Sequence, residues 1–259
     1  MPSVTLVTFL RPLAFVATLL IFVTFLMATV PSAHALLEGK FLYFPTHEQN
    51  RSDLAEWRID NRIAGYARTV DAPRAIWLIL HGNAGQAADR GYIIDRLPAD
   101  TSAYVLEYPG YGQRSGKPSL KSINTAAREA YEHLRVLHPN LPIGVFGESL
   151  GSGAVSYLCS LPSPPDRLVL AVPFDNLLSV AKRHLRFLPV GLLMRDKWDN
   201  VKTLSGYRGP VTIFGAARDT VIPITHARAL ADSVPQARFI ELSGGHNDWS
   251  LDPLTRISD

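Results

Sequence analysis

The sequence predicts an α/β protein: a three-layer α/β/α sandwich built on a mainly parallel sheet, with a small helical cap. Short apolar runs alternate with longer segments of helical periodicity, and turn residues separate them. Parallel strands need crossover connections, and the helices of those crossovers cover both faces of the sheet. With 259 residues, 47% hydrophobic and 19% charged, the chain is long enough for one large core. A single globular domain over residues 36–259 is the expectation, preceded by a separate leader over residues 1–35.

The leader comes first in the chain. From Leu13 to Val30 it is apolar apart from threonines, with Arg11 before it and Pro31, Ser32 and Ala33-His34-Ala35 after it. About twenty apolar residues cross a bilayer as a helix, whereas a secretory signal needs a shorter apolar region and a small-residue cleavage site. The length of the run favours an uncleaved membrane anchor, and Ala33-His34-Ala35 favours a signal peptide cleaved after Ala35. Either way the segment targets the chain to a membrane, and the following domain is expected outside the cytoplasm, anchored in the membrane or secreted or periplasmic. Lys40, Arg51 and Arg58 reduce the charge bias that would enforce this orientation.

Six apolar runs then read as buried strands: Ala75 to Leu80, Ala103 to Tyr108, Ile143 to Phe146, Leu168 to Val172, Val211 to Phe214 and Arg238 to Leu242. Between the second and third, Ser119 to His138 places Ile123, Ala127, Ala130, Leu134 and Leu137 at helical spacing. Arg128, Glu129, Glu132 and Arg135 fall on the other side. This segment is expected to be a crossover helix covering the sheet. Phe174 to Tyr207 has no strand-like run and reads as a helical excursion over the site. Its Leu, Phe and Met stripe fits packing against the sheet, lining an acyl pocket, or touching a membrane.

The chemistry-bearing residues fall just after predicted strands. Gly147-Glu148-Ser149-Leu150-Gly151 follows Ile143 to Phe146 and leads into the small residues Ser152, Gly153 and Ala154. A serine at that spacing sits on a sharp strand-to-helix turn, where flanking glycines let backbone approach without Cβ clashes. Ser149 is therefore the candidate nucleophile. His246, in Gly244-Gly245-His246 after the last strand, is the candidate general base. Asp219, on the loop after Val211 to Phe214, is the candidate acid that orients the imidazole. Asp175 competes with it, because it too follows a strand. His81-Gly82-Asn83-Ala84-Gly85, at the end of Ala75 to Leu80, offers the amide of Asn83 or Ala84 as one oxyanion donor; the Leu150 amide offers the other. His81 itself reads as structural. Glu107 to Gly116 reads as a glycine-rich loop with no assigned chemistry.

Composition excludes some classes. A formal net charge of +3, with Lys and Arg scattered, argues against a nucleic-acid partner. The one cysteine, Cys159, permits neither an intrachain disulfide nor a thiolate metal cluster, and reads as a buried thiol.

With His-Gly, Tyr-Pro-Gly-Tyr-Gly, G-x-S-x-G, the Asp219 loop and the Gly-Gly-His loop in order, the chain resembles the α/β-hydrolase superfamily from about Leu36 onward. Within it the chain is similar to small hydrolases with an N-terminal anchor, a Phe-Pro pair (Phe44-Pro45 here) and His-Gly-Asn. That group includes depalmitoylating thioesterases and peptidase-like members. The resemblance implies a lid-poor serine hydrolase without metal or organic cofactor and carries over Ser149, Asp219 and His246, but no substrate. A small acyl ester or thioester is the expected substrate, because an amide leaving group needs more acid assistance and usually an extended cleft. Glu107 departs from the Asp common at that position. A peptidase of the same fold and a catalytically silent binding protein are the alternatives.

Overall fold

The computed structural model describes residues 42–48 and 52–257. The leader, with its alternative readings as anchor or cleaved signal, lies outside them. Among the described residues no helix is long and apolar enough to cross a membrane.

Strands β1 (Phe44–Pro45), β2 (Ala55–Ile59), β3 (Arg62–Arg68), β4 (Ala75–Leu80), β5 (Ala84–Gly85), β6 (Thr101–Leu106), β7 (Ile143–Glu148), β8 (Arg167–Ala171), β9 (Val211–Ala216) and β10 (Ala237–Leu242) form two sheets. The large one has eight strands in the order β10-β9-β8-β7-β4-β6-β3-β2. Its pairs are parallel from β10 to β6, while β3 runs antiparallel to both β6 and β2. The sheet is thus the mainly parallel one expected, extended at one edge by a hairpin. From β4 the chain steps to β6 on one side and then crosses back to β7 on the other. Such reversals open a crevice at the carboxyl ends of the strands, where ligands bind in open α/β sheets.

Alternation along β4 divides the core. Ile76, Leu78 and Leu80 pack on one face with Ile123, Ala127, Ala130 and Leu134 of helix α2 (Leu120–Leu137) and with Leu158 of helix α3 (Gly151–Cys159). Trp77 and Ile79 point to the other face and meet Ile93, Ile94, Phe146 and Trp249. That second layer is thin, built from helix α1 (Gly91–Ile94), short 3-10 turns and the C-terminal segment.

Helix α2 takes its predicted place. The Ser119 side chain accepts from Ser122 N–H at 3.1 Å, satisfying one orphan donor of the first turn. The cap forms from helices α4 (Leu177–His184), α5 (Val190–Leu193) and α6 (Asn200–Leu204), and helix α7 (Ile224–Ser233) packs between β9 and β10 in the chain.

Two details differ from expectation. The strand predicted at Ala103 to Tyr108 begins two residues earlier and ends at Leu106. Thr101 and Ser102 are buried there because their hydroxyls are satisfied: Thr101 Oγ1 donates to Pro98 O and Ser102 Oγ accepts from Val70 N–H. The hairpin β2–β3 was not foreseen, and its two-residue connection, Asp60-Asn61, has φ of 48° and 61°.

Candidate active site

Ser149 sits between β7 and α3 with φ of 51°, a left-handed conformation that costs a non-glycine residue about 1–3 kcal/mol. The neighbouring glycines make the turn possible. A Cβ on Gly151 would lie 2.1 Å from Leu80 O, and one on Gly147 would lie 2.9 Å from Gly151 O. Both clashes are with backbone, so neither can be relieved by moving a side chain. Ser149 N–H donates to Ala171 O at 2.9 Å, which fastens the turn to β8.

His246 and Asp219 arrive on the loops after β10 and β9. Nε2 of His246 lies 2.9 Å from Ser149 Oγ, and Nδ1 lies 2.6 Å from Asp219 Oδ2. The carboxylate fixes the proton on Nδ1, leaving Nε2 to accept from the serine hydroxyl. Its other oxygen accepts from Val221 N–H at 2.8 Å and Ile222 N–H at 2.7 Å, so Asp219 is held by its own loop. The Asp219 side chain is only 1% exposed, which keeps water from competing for that oxygen. The structure therefore brings these three predicted residues together. It places Asp175 elsewhere: Asp175 Oδ1 pairs with His226 Nδ1 at 2.7 Å.

A cavity of about 440 Å³ opens beside Ser149 and is lined by Asn83 and Leu150 among others. Neither the Asn83 nor the Leu150 backbone N–H donates to another described residue. Two unengaged amides beside a serine hydroxyl are what a developing oxyanion requires. Ala84, the other candidate, does not line the cavity. It lies in β5, paired with Phe44 of β1, because the chain leaves the site one residue earlier than that alternative assumed.

Sequence reading missed the scaffold beneath these amides. Glu148 Oε2 accepts from Gly82 N–H at 3.1 Å, while Oε1 accepts from Tyr92 O–H and Trp249 Nε1–H, each at 2.9 Å. Burial and the Glu148 carboxylate push the Tyr92 hydroxyl above its ordinary pKa, so it stays a donor. Glu107 is fully buried and accepts from Ala87 N–H at 3.0 Å. A Cβ on Gly112, where φ is 50°, would meet that carboxylate at 2.1 Å, so the glycine-rich loop folds directly against it. Tyr108 O–H donates to His81 O and Tyr111 O–H to Asn83 O, each at 2.7 Å. The Tyr-Pro-Gly-Tyr loop, given no chemistry above, thus holds the His-Gly-Asn backbone in place. Cys159 is buried, and burial raises its thiol pKa far above the ordinary value.

No protein-family model matches the chain. An uncharacterized protein of Mycobacterium tuberculosis is 31% identical over 228 residues, covering 86% of this chain and 78% of that one. The lysophosphatidylserine lipase ABHD12 of Danio rerio is 28% identical over 206 residues, covering 72% of this chain and 52% of its own length. Among solved structures, an esterase of Pyrococcus furiosus superposes with a TM-score of 0.60 at 13% identity, covering 79% of this chain and 90% of that one. The chain has the α/β-hydrolase fold and belongs to one family with the Mycobacterium tuberculosis protein. The thioesterase domain from the curacin biosynthetic pathway is a second α/β-hydrolase likeness, with a TM-score of 0.56 at 14% identity over 77% of this chain and 95% of that one. At such identities the structural likenesses bear on the α/β-hydrolase fold alone. The chain spans about half the length of the lipase.

Proposed function

We propose that the protein is a serine hydrolase that cleaves carboxylic ester or thioester bonds through an acyl-enzyme. The observation that carries this reading is the imidazole of His246, within 2.9 Å of Ser149 Oγ and 2.6 Å of Asp219 Oδ2. Ser149 Oγ attacks the acyl carbonyl as His246 Nε2 takes its proton. The carbonyl oxygen gains negative charge, and the Asn83 and Leu150 N–H groups stabilise it. The imidazolium, stabilised by Asp219, returns the proton to the departing alkoxide or thiolate. Water, deprotonated by the same nitrogen, then cleaves the acyl-enzyme and regenerates the serine.

Esters fit better than peptides because the space beside Ser149 is an apolar hollow walled by Leu177, Val180, Leu185, Leu188 and Val190. An extended peptide would need backbone hydrogen-bond partners along a cleft, whereas an acyl chain needs only apolar walls. The lipase relative supports the same class. The leader is read as a membrane anchor or secretion signal, with residues 36–259 as the catalytic domain outside the cytoplasm. N-terminal sequencing decides the first point: a chain starting at Leu36 in soluble extract rejects the anchor.

A fluorophosphonate probe tests the chemistry. Wild type is expected to label and to turn over p-nitrophenyl esters. Turnover falls about a millionfold in Ser149→Ala and His246→Ala and about ten-thousandfold in Asp219→Asn, where the imidazole loses its correct tautomer. No labelling of folded wild type would reject the hydrolase and favour a silent binding protein.

A further inference from the structure

Large apolar side chains stand exposed on the rim of the cavity. Phe187 is 80% exposed and Leu192 66%, and both belong to the cap. Their chain neighbours Leu188 and Leu193 line the cavity, as do Phe44 and Val221, and Phe44, Leu188 and Val221 are themselves exposed. The His184 Nε2 contact with Val221 O, at 2.7 Å, joins the cap to the Val221 loop beside the cavity. A cluster of exposed apolar groups of this kind, around the entrance to an apolar cavity, marks an interaction surface.

The charge along the cap segment is one-sided. From Leu177 to Arg195 the sequence contains Lys182, Arg183, Arg186 and Arg195 and no Asp or Glu. Lys182, Arg183 and Arg186 are exposed, and the Arg186 guanidinium lies 4.9 Å from the Phe187 ring centroid. Apolar tips flanked by cations are the composition of a surface that rests in the interface of a bilayer bearing anionic headgroups. The chain path points the same way. Leu42 and Phe44, where the described domain begins, line this cavity, and Leu42 lies only twelve positions after Val30, the end of the apolar run. Twelve residues reach roughly 40 Å at most, so a leader held in a membrane keeps this rim close to it.

We propose that the rim formed by Phe187, Leu192, Phe44 and Val221, with Lys182, Arg183 and Arg186, is a docking surface for an anionic lipid bilayer. Docked in this way, the cavity mouth faces the headgroup region, and an acyl chain enters it without crossing water. The docking is independent of the catalytic reading; only the kinetic arm of its test relies on it.

The test uses the full chain with phosphatidylcholine vesicles containing phosphatidylglycerol, made with and without brominated acyl chains. Two variants carry a reporter, Phe187→Trp on the rim and Val136→Trp at the far end of α2, which leads to the amino end of β7. The expected result is strong bromine quenching of the rim indole and none of the α2 indole, with rim quenching weakened in vesicles of phosphatidylcholine alone. Equal quenching at the two positions overturns the proposal. So does a rim indole that is buried without lipid, whether by a second copy, in which case the burial depends on protein concentration, or by the leader, in which case it does not.

The kinetic arm compares p-nitrophenyl palmitate carried in the same vesicles with soluble p-nitrophenyl butyrate. Phe187→Ser/Leu192→Ser and Lys182→Glu/Arg183→Glu are expected to lose at least about tenfold on the vesicle substrate, equivalent to about 1.4 kcal/mol, and nothing on the soluble one. Unchanged vesicle rates overturn the proposal. Absence of turnover on both substrates in wild type would reject the hydrolase reading, while the quenching result still decides the docking.

Discussion

The Glu148 carboxylate accepts hydrogen bonds from three separate parts of the chain: Gly82 beside the candidate oxyanion amide, Tyr92 of α1, and Trp249 just after the His246 loop. A glutamine has one acceptor oxygen where the carboxylate has two, so its amide N–H group must face one of these donors. Glu148→Gln is therefore expected to cost about 1–3 kcal/mol of stability. It should also lower kcat while leaving KM nearly unchanged, because the Gly82–Asn83 backbone shifts against the developing oxyanion. Thermal melting and steady-state kinetics check both, and a wild-type kcat at wild-type stability would sink the idea. Asp175→Asn gives the contrast: its partner is His226, so turnover should survive, and a loss as deep as that of Asp219→Asn would reject the assignment of the acid. The difference in legibility between these residues has a physical origin. Ser149, Asp219 and His246 each follow a strand in a loop whose glycines or turn residues are visible locally. The first x of G-x-S-x-G is open to many side chains, and the partners of Glu148 lie 56, 66 and 101 residues away, so nothing near it in sequence discloses its role.

Elements bring those residues to one place, and the loop carrying His246 shows how. Ser243 N–H donates to Asp252 Oδ2 at 3.0 Å, Gly245 N–H to Asp248 Oδ2 at 2.9 Å, and Arg218 N–H to Gly244 O at 3.0 Å. The amides of Leu254 and Ser243 hold the Asp252 carboxyl below its ordinary pKa. A depressed carboxylate adds stability that is present above its unfolded value, about 3.9, and is lost as pH falls through the folded value. Asp252→Asn is therefore expected to melt below wild type at pH 7, with the gap closing as pH falls below about 4. A gap that stays constant or widens towards acid would contradict this sign. The same scale explains which elements the sequence disclosed. Buried parallel strands such as β4 and residues 143–146 of β7 are apolar and stand out. The hairpin strand β2 is an edge, with Glu56 and Arg58 exposed, so it looked like surface chain even though Asp60-Asn61 is a legible turn. The start of β6 was hidden by Thr101 and Ser102, whose burial depends on partners outside the strand.

At the scale of the whole molecule, the sheet supplies the serine and the cap supplies the space beside it. Helix α4 presents Leu177 and Val180 both to the core and to the cavity, so the stripe that fits sheet packing in the sequence also walls the cavity. The same side chains serve both ends because the cap is a single thin layer over the carboxyl edge of the sheet. The size of the cavity, about 440 Å³, is then set by the cap rather than by the triad geometry, and acyl-chain preference should be separable from chemistry. Val180→Phe and Leu185→Trp each place bulk into this hollow without touching Ser149, His246 or Asp219. In both variants the ratio of turnover on p-nitrophenyl palmitate to that on p-nitrophenyl acetate should fall, and the longest ester accepted should shorten. For Leu185→Trp the extra volume enters a cavity instead of a filled core, so the overpacking cost of about 1–3 kcal/mol should be largely absent and the melting midpoint should stay near wild type, whereas Val180 also packs in the core and Val180→Phe should carry part of that cost. A chain-length profile unchanged in both variants, with folding intact, would mean that acyl groups leave Ser149 by another route and that the hollow under the cap has a different occupant.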